Sequence, residues 1–396
     1  MKNGIAEQNM EIEELKEKIS KFPYIYIYGA GVYGRKLLKF WTKAGIEIRN
    51  IVVTSRENNP DRIGSYTVIA LDEVLTGKEE SLFLLGVGNA VVKEVEMALT
   101  DRNFKNYVNP PKQRRYYDDL HHYPKLEITT KTGCSINCRY CPQETFCRSY
   151  LKSGNITTME LDTFKKCIDK MPKEAVITFS GFSEPFLNDD CIPMIEYAAS
   201  QGRKMELFTT LVGLSVKKLE ELMKISDADF ISVVLHTPDD KGYANIPMTR
   251  EYFEVLDKVL DMIGKTGAPW IDSANCQGIP APQFIEFAKG RVIVASDLCD
   301  RAGNLKEEKG LKKAGKLEGR IKCSRMDELN QWVLLPDGRV VVCCMDFGMR
   351  HVLGNLKEQS YEEIEEGTAL AAVKEGMACG DNGILCRSCT WAVADQ

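Results

Sequence analysis

The stretch TTKTGCSINCRYCP, residues 129–142, places three cysteines in a Cys-x₃-Cys-x₂-Cys pattern. It follows an alternation of apolar and polar residues at 126–129 that predicts a β-strand. Cys134, Cys138 and Cys141 are close enough in sequence for their thiolates to converge on one metal centre. Three thiolates are one short of the four that close a tetrahedral site, so a small ligand can bind the metal at an open position. A zinc knuckle, or cysteines that are merely buried, is the alternative interpretation.

Length and composition predict a multidomain globular protein. The 396 residues exceed the roughly 100–200 residues of one domain, which predicts two or three domains. The net charge is −5 and the longest basic cluster is short, which argues against bulk nucleic-acid binding. No apolar run approaches the roughly 18 residues that span a bilayer, and the N-terminus does not resemble a signal peptide. We therefore expect no membrane span.

Fourteen cysteines are a high count for a chain of this kind. Without a secretory signal, metal binding or redox chemistry is a better explanation than a disulfide framework. This predicts a reducing, cytoplasmic and oxygen-poor setting. Eight of the cysteines fall into two groups, and the scattered remainder are expected to be buried small apolar residues. The first group is Cys134, Cys138 and Cys141, and the second is Cys323, Cys343, Cys344, Cys386 and Cys389.

The N-terminal third predicts a doubly wound α/β domain over residues 22–112, preceded by an amphipathic helix within residues 1–21. The predicted strand 24–28 runs directly into Gly29, Gly31 and Gly34, a Gly-x-Gly-x-x-Gly turn followed by a helical pattern. In that strand–turn–helix context the glycines permit a tight turn and a close approach of the backbone to a phosphate. Further strands are predicted at 46–54 and 81–89.

The ligand of this domain stays open. An NAD site usually has an acidic residue at the end of the second strand, whereas this chain has Ser55 and Arg56 there, which suit a 2′-phosphate. The stretch resembles the Rossmann-like domains of bacterial sugar-modifying and capsule-biosynthesis proteins, in which the turn either binds a nucleotide or sugar or is vestigial. We favour a structural or interaction role over nucleotide binding.

Residues 113–124 are polar, aromatic and end in proline, which predicts a linker. His121 and His122 lie in it without neighbouring residues at metal-ligand spacing, so they are expected to be solvated. From residue 125 to residue 305, six strand-like runs alternate with helical patterns, which predicts a parallel sheet with right-handed crossovers. The predicted strands are 126–130, 175–180, 205–210, 230–235, 270–273 and 291–295, and the helices 159–171, 191–200, 216–223, 252–263 and 282–288.

The three-cysteine loop, with an aromatic residue before its last cysteine, resembles that of the radical S-adenosylmethionine (SAM) superfamily. The resemblance implies a partial (β/α)₆ TIM-like barrel, with Cys134, Cys138 and Cys141 holding a 4Fe–4S cluster whose fourth iron is chelated by SAM. Active groups are then expected at the C-terminal ends of the strands.

Segments that follow the later strands extend the resemblance. The run FSGFSEP at 179–185 is similar to the family's glycine-rich SAM segment, although Phe182 and Ser183 replace the commoner glycines. By this resemblance Gly181 and Ser183 lie beside the bound methionine and the carboxylate of Glu184 receives its ammonium. The resemblance also places residues at the nucleoside, Thr210 at the ribose and Tyr140 beside the adenine.

Two polar residues near the later strands are further site predictions. His236 ends the fourth strand, where relatives have a different sequence, and it is predicted as a catalytic or substrate-contacting residue, with a structural histidine as the alternative. Arg301 lies in an Arg-Ala-Gly segment that resembles the one closing the barrel in relatives. It is predicted to hold a carboxylate of the cofactor, with an internal salt bridge as the alternative.

The C-terminal part, residues 306–396, is predicted to be a small α+β domain after a charged surface stretch. Pro-Asp-Gly at 336–338 separates two β-rich runs and predicts a hairpin whose far end returns beside Cys323. The cysteine order resembles the SPASM/twitch extension, which implies that Cys323, Cys343, Cys386 and Cys389 ligate a second, auxiliary 4Fe–4S cluster. We prefer Cys343 to Cys344 because adjacent strand residues point to opposite faces. Zinc is the alternative metal, because four thiolates suit it equally well.

The resemblance covers residues 125–396 and implies a mechanism. A reductant such as flavodoxin or ferredoxin supplies an electron, SAM is cleaved to a 5′-deoxyadenosyl radical, and this radical abstracts hydrogen from the substrate. The auxiliary cluster then assists oxidation or bond formation. Asp346, just past the cysteine pair, is predicted as a substrate base.

The substrate class is less well bounded than the reaction. A single auxiliary cluster and a Rossmann-like domain similar to those of sugar-modifying proteins favour a carbohydrate or small polar metabolite. Modification of a ribosomal peptide is the second hypothesis, although no winged-helix peptide-binding module precedes the predicted barrel. A non-catalytic zinc or iron–sulfur scaffold protein is the third.

Overall fold

The fold is described from a computed structural model of the chain. It describes residues 12–57, 59–87, 91–109, 123–225, 230–262, 271, 273–289, 291–292, 294–296, 300–305, 315–326, 328–380 and 383–395. The chain divides into two compact units. One contains residues 1–119, 257–274 and 285–293, and the other contains residues 120–256, 275–284 and 294–396. The predicted domain boundaries remain predictions.

A six-stranded sheet organises the first unit, in the order β3-β4-β2-β1-β5-β6. All neighbouring pairs from β4 to β6 are parallel, and β3 pairs antiparallel with β4 at the edge. Apolar and aromatic residues cover both faces of the central strand β1, as expected for a parallel strand enclosed on both sides. The strands are β1 Tyr24–Tyr28, β2 Asn50–Val53, β3 Arg62–Ile63, β4 Tyr66–Ala70, β5 Ser81–Leu85 and β6 Tyr107–Val108, and the helices are Ile12–Ile19, Val32–Lys43 and Val92–Asp101.

Aromatic residues form the centre of this unit's core. Phe83 is fully buried, and its ring stacks on Tyr26 with centroids 5.2 Å apart and meets the edge of Phe104 at 4.9 Å. Such pairs stabilise the fold beyond the area they bury. The predicted N-terminal helix at 5–21 is present as Ile12–Ile19, and its first residues lie outside the described part of the chain.

Apart from the first two residues of β11, a nine-stranded sheet lies in the second unit, in the order β12-β11-β10-β9-β8-β7-β14-β15-β16. Strands β7 to β10 pair in parallel, each with the next along the chain. The strands are β7 Lys125–Ile128, β8 Val176–Phe179, β9 Met205–Thr209, β10 Phe230–His236, β11 Ser273–Cys276 and β12 Val294–Ser296. The helices that accompany them are Gln143–Leu151, Leu161–Ile168, Cys191–Ser200, Val216–Leu222, Arg250–Asp261 and Pro282–Ala288.

The alternation of strands and helices agrees with the sequence-based prediction, with shifts at the ends. The helix Gln143–Leu151 was not predicted, and the fifth strand begins at Ser273, where the predicted one ended. Residues 113–122 of the predicted linker, which include His121 and His122, lie outside the described part of the chain.

The C-terminal hairpin continues the same sheet, which the sequence did not predict. Strand β14, Gln331–Leu334, pairs in parallel with β7 and antiparallel with β15, Arg339–Val341. The predicted turn is present, and Gly338 has a left-handed φ of 91° that favours glycine. The remaining elements are β16 Val352–Asn355, the helices Tyr361–Glu365 and Thr368–Cys379, and the antiparallel pair β13 Ile321–Cys323 with β17 Ala392–Ala394.

An aromatic cluster joins the cysteine loop to the hairpin. Phe146, on the helix directly after the loop, packs against Phe182 with ring centroids 4.6 Å apart. Phe182 in turn meets Phe347, beyond the hairpin, at 4.5 Å. Val333 and Val341 of the hairpin are buried in the same cluster. The helix Gln143–Leu151, directly after the cysteine loop, therefore packs in one cluster with C-terminal residues.

Candidate functional site

The three cysteines of the loop after β7 share one cavity at the C-terminal ends of the strands. This three-cysteine cavity has a volume of about 600 Å³ and is open to solvent. It brings together most of the residues predicted to bind the first cluster and SAM, together with the predicted catalytic histidine. The predicted residues among its lining are Cys134, Cys138, Cys141, Gly181, Ser183, Glu184, Thr210 and His236.

Burial raises the pKa of all three thiols. The pKa of Cys138 rises to about 12 and that of Cys141 to about 11, with burial as the main cause and neighbouring cysteines as a further one. For Cys134, burial raises the pKa, while the backbone N–H groups of Glu184 and Ile136 act in the opposite direction. The thiols are therefore protonated at pH 7 until a metal binds and releases their protons.

Gln143 donates a hydrogen bond to the sulfur of Cys141, a contact that was not predicted from the sequence. Its Nε2 donates to Cys141 Sγ at 3.3 Å and also to the backbone oxygen of Phe182. Its Oε1 accepts from Cys147 Sγ at 3.9 Å. Gln143 is 6% exposed and lines the cavity. Its place two residues after the last cysteine was the only available signal.

The turn at Gly181 requires glycine for two reasons. Its φ is +58°, and a Cβ there would lie 2.4 Å from Thr129 Oγ1 and 2.8 Å from Thr129 N. The same Thr129 hydroxyl accepts from the backbone nitrogen of Phe182 at 3.1 Å. Ser183 Oγ accepts from the backbone nitrogen of Lys131 at 3.3 Å. The turn after β8 is thus fastened to the segment that leads into the cysteine loop.

Glu184 is buried, and its carboxylate has four donors within the protein. Oε2 accepts from the backbone nitrogen and the hydroxyl of Thr210, both at 2.7 Å. Oε1 accepts from Thr209 Oγ1 at 2.7 Å and from the nitrogen of Phe186 at 3.3 Å. Burial raises the pKa of the carboxyl, and these hydrogen bonds lower it. A carboxylate offers about four acceptor positions, so Glu184 ties the end of β9 to the turn after β8.

His236 lines the cavity as a neutral imidazole. Burial, together with the charge of Arg301, lowers its pKa to about 4. Arg301 itself has a left-handed φ of +52°. Its charge also lowers the pKa of Cys141 and of Cys344. Arg301 is not among the residues that line the three-cysteine cavity, but its charge acts on a cysteine of each group.

Tyr140 is buried at 6% exposure, and it is also absent from that lining. Its ring meets the edge of Tyr243 with centroids 5.6 Å apart. A Cβ on Gly278 would lie 3.1 Å from its hydroxyl oxygen. Burial raises the pKa of Tyr140, and the carboxylate of Asp239 raises it further.

A second cavity gathers the C-terminal cysteines. This C-terminal cavity has a volume of about 550 Å³. Its lining includes all four cysteines predicted to hold the auxiliary cluster, which are Cys323, Cys343, Cys386 and Cys389. They come from the end of β13, the segment after β15, the short helix Leu385–Ser388 and the residue that follows it. Burial raises the pKa of Cys386 to about 12 and that of Cys343 well above its ordinary value.

Cys344 lines the same cavity, so the reason given for setting it aside is wrong. Strand β15 ends at Val341, and the alternation of faces along a strand does not extend to Cys343 and Cys344. The structure instead gives Cys344 a partner, because Arg325 Nη1 donates to its Sγ at 3.4 Å.

The C-terminal cavity suits a sulfur-rich anionic group. Gln331 Nε2 and Trp391 Nε1 are buried N–H donors without a hydrogen-bond partner in the described structure, and both residues line the cavity. Buried donors normally have acceptors. Four thiolates together with unpartnered donors fit an iron–sulfur cluster, whose sulfur atoms accept hydrogen bonds. Among the described residues, no group of three or more His, Cys, Asp or Glu side chains is arranged around a single metal ion.

Asp346 lies outside the residues that line either cavity. It is 0% exposed, and its two carboxylate oxygens accept from the backbone nitrogens of Arg350 and His351, each at 2.8 Å. Burial raises its pKa, and these two bonds act in the opposite direction. The geometry gives Asp346 a structural role in the turn, and the predicted role as a base gains no support from it.

The glycines of the N-terminal turn differ in their surroundings. A Cβ on Gly34 would lie 1.8 Å from Gly29 O, and one on Gly29 would lie 2.6 Å from Gly86 O. A Cβ on Gly31 would meet nothing within 4 Å. The fold itself therefore explains two of the three glycines, Gly34 by packing and Gly29 by packing and a left-handed φ of +114°. Arg56, considered for a 2′-phosphate, forms an ion pair with Asp61.

Comparisons with known families match two segments of the chain. The radical SAM superfamily matches residues 128–274, and the iron–sulfur cluster-binding SPASM domain matches residues 323–390. No curated protein sequence matches this chain. No helix in the described part of the chain is long and apolar enough to cross a membrane.

Solved structures similar to this chain include those of BtrN, SuiB and anSMEcpe. BtrN in complex with AdoMet and 2-DOIA is 15% identical, with a TM-score of 0.43, covering 66% of this chain and 89% of that one. Streptococcus suis SuiB bound to precursor peptide SuiA is 12% identical, with a TM-score of 0.44, covering 72% and 79%. Native anSMEcpe with bound AdoMet is 14% identical, with a TM-score of 0.41, covering 67% and 86%. These values carry no conclusion about the substrate of this chain.

Proposed function

This chain is a radical SAM superfamily enzyme with a SPASM iron–sulfur domain, and from that premise we propose that it removes hydrogen from a carbohydrate or small polar metabolite. The proposal includes a partial (β/α)₆ barrel formed around strands β7 to β12. The observation that carries it is the gathering of Cys134, Cys138 and Cys141 with the turn 181–184 and His236 in one cavity.

We assign the two iron–sulfur sites to the two cysteine groups. Cys134, Cys138 and Cys141 hold the cluster that binds SAM, and the auxiliary cluster is held by the set Cys323, Cys343, Cys386 and Cys389. When bound, the first cluster and SAM would supply a 5′-deoxyadenosyl radical for hydrogen abstraction, and the auxiliary cluster would supply a one-electron acceptor. A reductant such as flavodoxin or ferredoxin supplies the first electron.

The residues around the cysteines bind and orient the cofactor. Gly181 leaves room for the backbone to approach the methionine, and Ser183 fixes the loop beside it. Glu184 uses its carboxylate to hold Thr210 in place, which supports an organising role in preference to direct capture of the ammonium. Gln143 orients the sulfur of Cys141.

Three further residues keep their predicted roles in this proposal. Tyr140 lies next to the nucleoside and not against the cluster, in agreement with its place beside Tyr243. Arg301 provides a positive charge for a carboxylate. His236 contacts the substrate as a neutral hydrogen-bonding group, because its lowered pKa keeps it uncharged near pH 7.

Polar side chains support a polar substrate. The lining includes Ser180, Thr210 and His236, and Ser180 Oγ donates to Glu127 Oε2 at 3.2 Å. Hydroxyl, amide and imidazole groups are those that recognise a polyol by hydrogen bonding. We regard the N-terminal domain as a Rossmann-like structural or interaction module, since packing explains two of its three glycines. Modification of a ribosomal peptide is the second hypothesis.

The test uses the full chain, reconstituted anaerobically with iron and sulfide and supplied with SAM and a reductant. Candidate sugars and peptides carrying deuterium at carbon are compared for transfer of the label into 5′-deoxyadenosine. Transfer from sugars alone supports the proposal. Transfer from peptides alone overturns the substrate class, and iron-loaded protein that forms no 5′-deoxyadenosine overturns the assignment of the SAM site.

A further inference from the structure

Two residues that line the C-terminal cavity carry N–H donors that have no acceptor in the described part of the chain. Gln331, on β14, is 3% exposed, and its Nε2 is buried and unpartnered in the described structure. Trp391, directly before β17, has its Nε1 in the same condition. Both residues line the cavity that contains Cys343, Cys386 and Cys389. A buried donor without an acceptor destabilises the folded state unless a bound group supplies the acceptor.

Trp391 is held in this position by several contacts. Its backbone nitrogen donates to Cys389 Sγ at 3.5 Å, and its backbone oxygen accepts from the nitrogen and hydroxyl of Ser324, each at 2.8 Å. The guanidinium of Arg325 lies over its ring, 5.4 Å from the centroid. These contacts hold the backbone of Trp391 beside the sulfur of Cys389, a predicted ligand, and place Arg325 over the indole ring.

The chain satisfies a comparable indole elsewhere in the same unit. Trp332, next to Gln331 on β14, is 0% exposed, and its Nε1 donates to the backbone oxygen of Leu329 at 2.8 Å. Within this unit, the indole of Trp332 thus has an acceptor in the protein, whereas that of Trp391 has none in the described structure.

We propose that Gln331 and Trp391 donate hydrogen bonds to the sulfur atoms of the auxiliary cluster and raise its reduction potential. This inference rests on the proposed function, which places an iron–sulfur cluster in this cavity. Hydrogen bonds to cluster sulfur stabilise the more negatively charged, reduced state, so their presence shifts the potential upward. Both residues influence the reaction through the reduction potential of the cluster. A higher potential favours transfer of an electron from the substrate to the cluster.

The experiment isolates the auxiliary cluster in the full chain by replacing Cys134, Cys138 and Cys141 with alanine. After anaerobic reconstitution, the midpoint potential is measured by redox titration followed by electron paramagnetic resonance. We expect Trp391→Phe and Gln331→Met each to make the potential more negative, and the double variant to shift it further. Trp332→Phe, which removes a satisfied indole from the same region, is the matched control and leaves the potential unchanged.

A second measurement does not depend on how well the variants fold. With tryptophan labelled with ¹⁵N only at the indole nitrogen, the reduced cluster in the protein that keeps Gln331 and Trp391 is expected to show a ¹⁵N hyperfine coupling and an exchangeable proton coupling that disappears in D₂O. Absence of both couplings, or an unchanged potential in an iron-loaded double variant, overturns the donor role alone. A C-terminal cavity that takes up zinc or no iron overturns the auxiliary-cluster assignment, and the donor role with it.

Discussion

Glu184 Oε2 accepts hydrogen bonds from both the backbone nitrogen and the hydroxyl of Thr210, each at 2.7 Å. With Thr209 and Phe186 on the other oxygen, the carboxylate is enclosed by donors of the protein itself. It therefore fixes the spacing between the strand ends at which SAM is proposed to bind.

Replacing Glu184 with glutamine tests this organising role. The amide nitrogen must face at least one donor, so we expect Glu184→Gln to lower the free energy of unfolding by about 2 kcal/mol or more. Denaturant unfolding of the full chain measures the loss. Glu160→Gln, a change at an exposed carboxylate without a side-chain cap bond, is the control and is expected to change stability by less than about 0.5 kcal/mol. Equal effects of the two substitutions contradict the role.

Gly181→Ala is expected to disrupt the turn after β8 through both strain and collision. Gly202 offers a matched control, since its φ is +67° but its added Cβ meets nothing within 4 Å. Gly202→Ala isolates the left-handed penalty of about 1–2 kcal/mol. We expect Gly181→Ala to cost about 1–3 kcal/mol more, because its methyl group meets Thr129. Equal losses in denaturant unfolding rule out the steric requirement.

His236 is expected to remain neutral where an ordinary histidine is half protonated. Its pKa is lowered to about 4 in the folded chain, compared with 6.5 in the unfolded chain. Between those values the unfolded chain binds more protons than the folded chain. The contribution of His236 to the free energy of unfolding is therefore complete above pH 6.5 and is lost as pH falls toward 4. We expect His236→Gln to flatten the pH dependence of stability in that window. Nitrogen NMR of the four histidines in the metal-free protein checks the charge state directly. A His236 imidazole that titrates near pH 6.5 contradicts this prediction.

Cysteine substitutions separate the two clusters. Cys134→Ala is expected to remove about half of the bound iron and all 5′-deoxyadenosine formation. Cys386→Ala is expected to remove a similar amount of iron but leave some cleavage that is uncoupled from the substrate. Cys379→Ala, at an exposed cysteine, is the control and keeps both iron and turnover. Full turnover in both ligand variants contradicts the assignment of two clusters.

Asp346→Asn distinguishes a structural carboxylate from a base. An amide replaces one acceptor in the turn with a donor, so we expect a loss of about 1–3 kcal/mol in unfolding free energy. Turnover per iron-loaded, folded enzyme is expected to fall by less than about tenfold, whereas loss of a general base typically costs about 10²–10⁴-fold. A loss in the larger range, with stability unchanged, restores the catalytic prediction.

Sequence periodicity predicted the elements better than their contacts. The strand–helix alternation from residue 125 and the turn at 336–338 were accessible because they depend on local spacing and on proline and glycine chemistry. The spacing of Cys134, Cys138 and Cys141 likewise predicted that they lie together, whereas the C-terminal set was predicted from the resemblance to the SPASM/twitch extension. The hydrogen-bond donors to Glu184 could not be predicted from the sequence, because Thr209 and Thr210 contact it only when β8 and β9 are aligned. The strand rule used to choose between Cys343 and Cys344 did not apply, because the strand ends at Val341.

The pairing of Gln331 with Lys125 has a consequence for how the protein is made. At about 5–20 residues per second, translation separates these two positions by about 10–40 s, during which β7 has no partner on that side. An unpaired strand edge is a template for aggregation. We therefore expect a chain truncated before residue 331 to expose the edge of β7 as well as to lose the C-terminal cysteine pair Cys386 and Cys389. An exchange of the C-terminal segment has to preserve its pairing with β7.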